Sequence, residues 1–255
     1  MYIKKYNQDF TIDTTLKKLG IRMIEKINNN VFVCVDLIPK VIEAHQIYLP
    51  YGLVLRGIVS DIINYLYLHQ VYANVGNDAF EGELKILDLE FVKAYQKFFN
   101  SNNKMYPKDP YQEKKIEQEL MDKFKGFFED GKLVNSKKFR VNKMVDVIEK
   151  LRHDKVLIGG ARIETEAGKL HYINNPNIEG LKIVYTYLSQ LQHFSTYSYL
   201  HYSEKRSGFL NPHISLLVVH LVNSVLTLIV TDIYFDKVAV ESFTQIQIKI
   251  ADLTH

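Results

Sequence analysis

Tryptophan is absent from the chain, and cysteine occurs once. One thiol cannot close a disulfide within the chain, so no covalent framework braces the fold. That residue, Cys34, sits in the apolar run 31–35 with no histidine or asparagine beside it, and it reads as a buried, inert thiol rather than a nucleophile. There is also little excess charge: 32 basic and 29 acidic residues leave a net +3. A balance so near zero does not by itself imply nucleic-acid binding. No HExxH or Glu-x-x-His pattern occurs, which argues against a metal site or other cofactor. The only glycine pair, Gly159-Gly160, is not followed by Lys-Ser/Thr and is not part of a G-x-G-x-x-G run, so a phosphate loop is unsupported. The first residues carry no apolar signal region, and the expected location is cytoplasmic.

What is present is ordinary globular material. Apolar residues make up 47% of the chain and charged residues 24%, with Tyr (17) and Phe (14) plentiful. A length of 255 residues can bury a substantial core, and no repeat, low-complexity tract or linker divides it. We read residues 1–255 as a single, mainly α domain, a multi-helix bundle. Leu16, Leu19, Ile24 and Ile27 lie among charges and predict an amphipathic helix over 12–27. Pro39 starts or kinks a helix there. Residues 51–72 form the most apolar stretch of the first half and read as a central core helix. Leu84, Leu87, Phe91, Tyr95 and Phe98 recur at three- and four-residue steps, predicting a helix over 80–99 with one buried face. A polar turn region with two prolines covers 100–110. A charged helix over 111–128, a turn at Glu129-Asp130-Gly131 and a helix over 143–152 follow.

Residues 161–173 read differently. Arg162-Ile163-Glu164-Thr165 and Lys169-Leu170-His171-Tyr172-Ile173 flank Glu166-Ala167-Gly168, which predicts a small β-hairpin on the helical body. A long helix is expected over 178–202, an apolar helix from Pro212 to about Thr231, and a last helix over 238–253. The apolar segment 214–231 is long enough to resemble a membrane span. It is interrupted by His220, Asn223, Ser224 and Thr227, follows His213, and lacks flanking Lys/Arg or Trp anchors. A helix buried within a bundle has the same signature, and no membrane partner is expected.

Four features could carry chemistry. Arg56 stands among apolar residues on the core helix, and a buried guanidinium needs an anionic partner. Asp61 is five residues on, about 140° round the helix, so the partner would come from elsewhere, such as Asp88 or Asp232, or from a bound anion. Ser189, His193 and Tyr197 share a face of the long helix. His213 and His220 align on the next, with Ser224, Thr227 and Thr231 continuing the line. Two such stripes could face each other as a hydrogen-bonded network, or could build a site with His193, His201, His213 or His220 as acid or base. Last, residues 132–152 hold Lys132, Lys137, Lys138, Arg140, Lys143, Lys150 and Arg152 against Asp146 and Glu149. That stretch is either a solvated surface or a patch that attracts an RNA backbone, with Lys137, Lys138 and Arg140 as its grips.

The run Leu55-Arg56-Gly57-Ile58-Val59-Ser60-Asp61-Ile62-Ile63-Asn64-Tyr65-Leu66-Tyr67-Leu68 resembles the arginine-bearing helix of a bacterial helical family of unknown function. Its later helix, with a tyrosine, Leu-Ser and a histidine, is similar to Tyr185-Thr186-Tyr187-Leu188-Ser189-Gln190-Leu191-Gln192-His193-Phe194-Ser195. That likeness runs over roughly residues 48–233, and the family often has Glu where this chain has Asp61. Separately, Arg206-Ser207-Gly208-Phe209-Leu210-Asn211-Pro212-His213 resembles the Arg-x4–6-His motif of HEPN domains. There the residue after the arginine is usually Asn, Asp or His, and here it is Ser207. HEPN domains are helical bundles of bacterial toxin and antiviral defence systems, many of them dimeric, metal-independent ribonucleases. The resemblance implies an RNA-cleaving homodimer in which His213 transfers a proton and Arg206 stabilises the phosphorane charge. Arg56 and His193 stand as candidate substrate-binding residues from the anion-site and histidine-stripe readings, and a cleft holding both would point to a different enzyme. The alternative is a non-catalytic helical module that binds a protein partner or a ligand.

Overall fold

The computed structural model describes residues 15–43, 48–106, 109–154, 162–175, 178–190 and 212–234. Among the described residues the protein is mainly α, with eight α-helices and one two-stranded antiparallel hairpin. In chain order these are α1 (Thr15–Glu43), α2 (Tyr48–Val75), α3 (Asn77–Met105), α4 (Pro110–Lys123), β1 (Phe128–Glu129), β2 (Lys132–Leu133), α5 (Asn142–His153), α6 (Glu166–Tyr172), α7 (Ile178–Gln190) and α8 (Pro212–Tyr234). Short 3-10 turns cover Lys125–Phe127 and Ser136–Phe139. The expected helix over 238–253, and the second half of the one over 178–202, lie outside the described residues. The described residues form two compact units: those up to His69 together with those from Lys169 onward, and Gln70–Gly168.

In the first unit, α2 buries most of its apolar side chains, Leu55, Ile58, Val59, Ile62, Ile63 and Leu66 among them, while Leu53 and Gly57 are exposed. The flanking helices each bury one stripe. On α1 it is Leu16, Met23 and Ile27; on α7, Leu181, Val184 and Leu188; on α8, Val218, Leu221, Val222, Val225 and Ile229. These steps of three, four and seven are the helical period. α8 packs on both α1 and α7. No helix among the described residues is long and apolar enough to cross a membrane. One helix, α1, covers the amphipathic stretch expected over 12–27 from Thr15 onward and runs on past Pro39, where the sequence suggested a helix start or kink.

In the second unit, α3 buries Ala79, Phe80, Gly82, Glu83, Ile86, Leu89 and Val92. It extends to Met105, six residues beyond the expected end, so residues 100–105 are helix rather than turn. Asp109 caps α4 by accepting from the Tyr111 N–H at 3.0 Å, with Pro110 at the first helical position.

The hairpin is not over 161–173. It lies at 128–133, where Phe128 pairs with Leu133 and Glu129 with Lys132. Its two-residue turn is Asp130-Gly131, both at positive φ (49° and 75°), the combination that matches the twist of paired strands. At 161–173 the sequence instead makes a tight turn and then α6. The Thr165 hydroxyl accepts from the Gly168 N–H at 3.1 Å and donates to the Arg162 carbonyl at 2.7 Å, so Thr165 is a helix N-cap. Gly168 looked like a turn glycine, but it is a helical one. A Cβ there would stand 2.0 Å from the Arg162 carbonyl oxygen, so only glycine lets the preceding turn lie against the helix.

Candidate anion-binding cleft

The second unit contains an open cleft of about 570 Å³ built from four segments. α3 contributes Glu90 and Lys93. The 3-10 turn and its flanks contribute Asn135, Ser136, Lys137 and Arg140. α5 adds Val145, Ile148, Glu149 and Arg152, and the turn before α6 adds Arg162, Glu164 and Thr165. On α5 these four residues are one face, spaced by three and four.

The anchor of the cleft is Arg140. Its side chain is 8% exposed and Glu83, beneath it, 3%. Arg140 Nε donates to Glu83 Oε1 at 2.6 Å and a terminal nitrogen to Glu83 Oε2 at 3.1 Å, a two-point fork; the other terminal nitrogen donates to Glu164 at 2.8 Å. A second close approach makes this possible. A Cβ on Gly82 would lie 2.2 Å from the Phe139 carbonyl oxygen, so the glycine lets the 3-10 turn sit directly on α3 and delivers Arg140 to Glu83. Burial pushes the Arg140 guanidinium towards losing its proton, but the hydrogen bonds and charges of Glu83 and Glu164 outweigh it and hold the group above its ordinary value. For Glu164, burial pushes the pKa up, while its own backbone hydrogen bond, Arg140 and Arg152 outweigh that and hold it below 4.5.

The remaining charges sort into partnered and unpartnered. Lys93 pairs with Glu90 at 2.7 Å and Arg152 with Glu149 at 3.1 Å, each three residues apart on one helix. All three carboxylates of the lining are therefore engaged. Lys137 and Arg162 are exposed and have no ion pair among the described residues. The Lys137 N–H is held by the Asn135 side chain at 3.0 Å, which fixes the turn that presents the lysine. Lys138 turns away, because adjacent residues of a 3-10 turn point about 120° apart; it pairs with Glu129. Among the described residues the lining holds no histidine or cysteine, and its exposed cations suit an anion.

The residues expected from sequence thus divide. Lys137 and Arg140 reach this cleft, in different roles: Lys137 as an exposed cation and Arg140 as a buried, fully engaged one, which corrects the expectation of Arg140 as a surface grip. Arg162 and Lys93 were missed, because they lie outside the basic stretch and reach the cleft only through the fold. Arg56 is buried in the first unit, where it donates to Ser60 and stacks over the Tyr185 ring at 4.6 Å. Asp61 pairs instead with Lys26 of α1 at 2.6 Å. Ser189, Ser224 and Thr227 each donate to the carbonyl four residues back on their own helix, at 2.7, 3.0 and 2.9 Å. Arg206, His193, Tyr197 and His201 lie outside the described residues, and His213 belongs to the first turn of α8 with its side chain outside them. Among the described residues no cluster of His, Cys, Asp or Glu could hold a metal ion. Compared with protein-family models, with curated proteins and with solved structures, the chain matches none.

Proposed function

We propose that the protein is a helical module that binds a phosphate-bearing ligand, gripped by Lys137 and Arg162 over the fixed floor of Arg140, Glu83 and Glu164. The observation that carries this reading is the charge left over in the cleft. Five cations and three carboxylates line it, with Glu83 beneath Arg140 as a fourth carboxylate, which leaves a net +1, and the two cations in no ion pair among the described residues, Lys137 and Arg162, are exposed. Lys137 and Arg162 can contact one phosphate monoester or two adjacent phosphodiesters of an RNA backbone. A guanidinium suits either, since its planar fork meets two phosphate oxygens at once. Among the described residues no ring lines the cleft, so it grips phosphate without stacking on a base, and binding to RNA would be independent of sequence.

The test is binding of a fluorescent single-stranded RNA and, separately, of inorganic phosphate. Lys137→Ala combined with Arg162→Ala should remove binding, while Lys138→Ala should not. RNA binding with a log–log salt slope near about −1.4, two phosphates at about 0.7 each, identifies the backbone as ligand. Binding of phosphate but not RNA identifies a small phosphate ester. If neither binds, the reading is wrong.

A second reading rests on one observation: α8 begins at Pro212, which puts His213 in its first turn, where the Arg-x6-His resemblance has its histidine near a helix start. On that reading the chain is a cytoplasmic, HEPN-like, metal-independent ribonuclease of bacterial defence or toxin type, with Arg206 and His213 as its catalytic pair. RNA cleavage by the wild type in EDTA, lost in His213→Ala, supports it. Uncut RNA with the wild type refutes it.

A further inference from the structure

The outer face of α3 carries large apolar side chains that the second unit leaves uncovered. Phe91 is 61% exposed, Tyr95 40%, Phe98 70% and Met105 71%. With Asn102 they are spaced four, three, four and three, the step of a coiled-coil seam in which Phe91, Phe98 and Met105 occupy d positions and Tyr95 and Asn102 occupy a positions. This stripe is opposite the buried face defined by Gly82, Ile86 and Leu89. It is not a loose collection of exposed rings: Phe124, just past α4, packs edge-on against Phe91 and Tyr95 at 6.3 and 5.9 Å and stiffens one flank.

The geometry points to a second copy of this chain as the occupant, paired with its α3 parallel and in register along residues 91–105. Three features choose that occupant. First, the flanking e and g positions are Val92, Ala94, Phe99 and Ser101, so α3 itself sets no charge against an identical helix; Glu90, Lys93, Lys97 and Lys104 fall at c and f positions, and a charge from outside the helix, Lys123, has its Nζ 5.7 Å from the Tyr95 ring centre. Second, Asn102 is the one amide in the seam. Paralleled in register it meets its own copy and the two amides satisfy each other; in an antiparallel pairing it would face an aromatic ring with its hydrogen bonds unmet. Asp88, at the preceding a position, ends the seam, because two carboxylates would meet there. Third, the area suffices for a weak dimer. At about 200 Å² per ring, the three aromatics leave roughly 350 Å² uncovered per copy, and with Met105 two copies would bury on the order of 1,000 Å², the lower end of specific interfaces.

The seam includes neither Lys137 nor Arg162, so pairing and phosphate binding can be tested apart. Sedimentation velocity of the full chain should show a monomer–dimer equilibrium at roughly 10–100 µM, as expected of a small interface. Phe98→Glu should leave a monomer at every concentration, with unchanged helical circular dichroism because the site is exposed. Asn102→Leu should tighten the dimer severalfold by removing the amide. Asn102→Cys, in a Cys34→Ser background, should cross-link between chains under mild oxidation, since only parallel in-register pairing brings two copies of position 102 together. A wild type that stays monomeric at 100 µM, a Phe98→Glu variant that still dimerises, or an Asn102→Cys variant that dimerises without cross-linking would each overturn the proposal.

Discussion

Removing the Arg140 side chain should cost far more than removing a surface arginine. Glu83 is 3% exposed and receives two of the guanidinium's hydrogen bonds. In Arg140→Met it stays in place, charged, and loses its bidentate partner where water has little access. Breaking a buried pair from one side costs roughly 3–5 kcal/mol. For a chain of this size about 2–4 °C of melting temperature accompany each kcal/mol, so the variant should melt some 6–20 °C below wild type. Glu164 softens the loss only slightly, since its side chain is partly exposed and can turn to solvent. The companion variant, Arg140→Met with Glu83→Leu, removes both charges and fills the space with apolar atoms. Such replacements are often neutral or stabilising, so it should recover most of the lost stability. Differential scanning calorimetry reads both variants. An Arg140→Met protein that melts within about 2 °C of wild type, or a double variant as unstable as the two single changes added together, would refute the claim that this pair is buried and coupled.

Three other outcomes follow from the same cluster. Gly82→Ala places a methyl 2.2 Å from the Phe139 carbonyl oxygen, a backbone atom that cannot step aside, and should destabilise by about 1–3 kcal/mol in urea unfolding. Thr165→Ala removes the cap of α6 and should cost about 0.5–2 kcal/mol in the same assay. Because Glu164 is held below its ordinary 4.5 in the folded protein, its contribution is complete above that value and disappears as pH falls through the lower, folded one; Glu164→Gln should lower stability at neutral pH and flatten this part of the acid limb.

How much of this was legible before folding depended on how local each signal is. The core helix α2 and the burial of Arg56 follow from an apolar run that no other environment would tolerate. The turn at Glu129-Asp130-Gly131 was visible, but its strands are two residues each, too short to show an alternating pattern. Thr165 followed by an acidic residue is an N-cap signature, yet Gly168 drew the reading to a hairpin; its real role, close approach to the Arg162 carbonyl, involves contact with a turn that sequence spacing cannot display. The basic stretch was evident as composition. Which of its members are spent was not, because the carboxylates that engage Arg140 lie 57 and 24 residues away in sequence. Arg162 as a free cation is legible only after those pairings are known.

The most direct test of the cleft is site-resolved. The arginine Nε–H signals, assigned by substitution and followed by NMR, would be titrated with inorganic phosphate and then with a short single-stranded RNA. The account predicts that the Arg162 signal moves saturably with at least one of the two, that Arg140 moves little because its donors are already engaged, and that the exposed Arg22 of the first unit does not move. Signals that shift equally at all exposed arginines, or an Arg162 signal that stays fixed through both titrations, would contradict it.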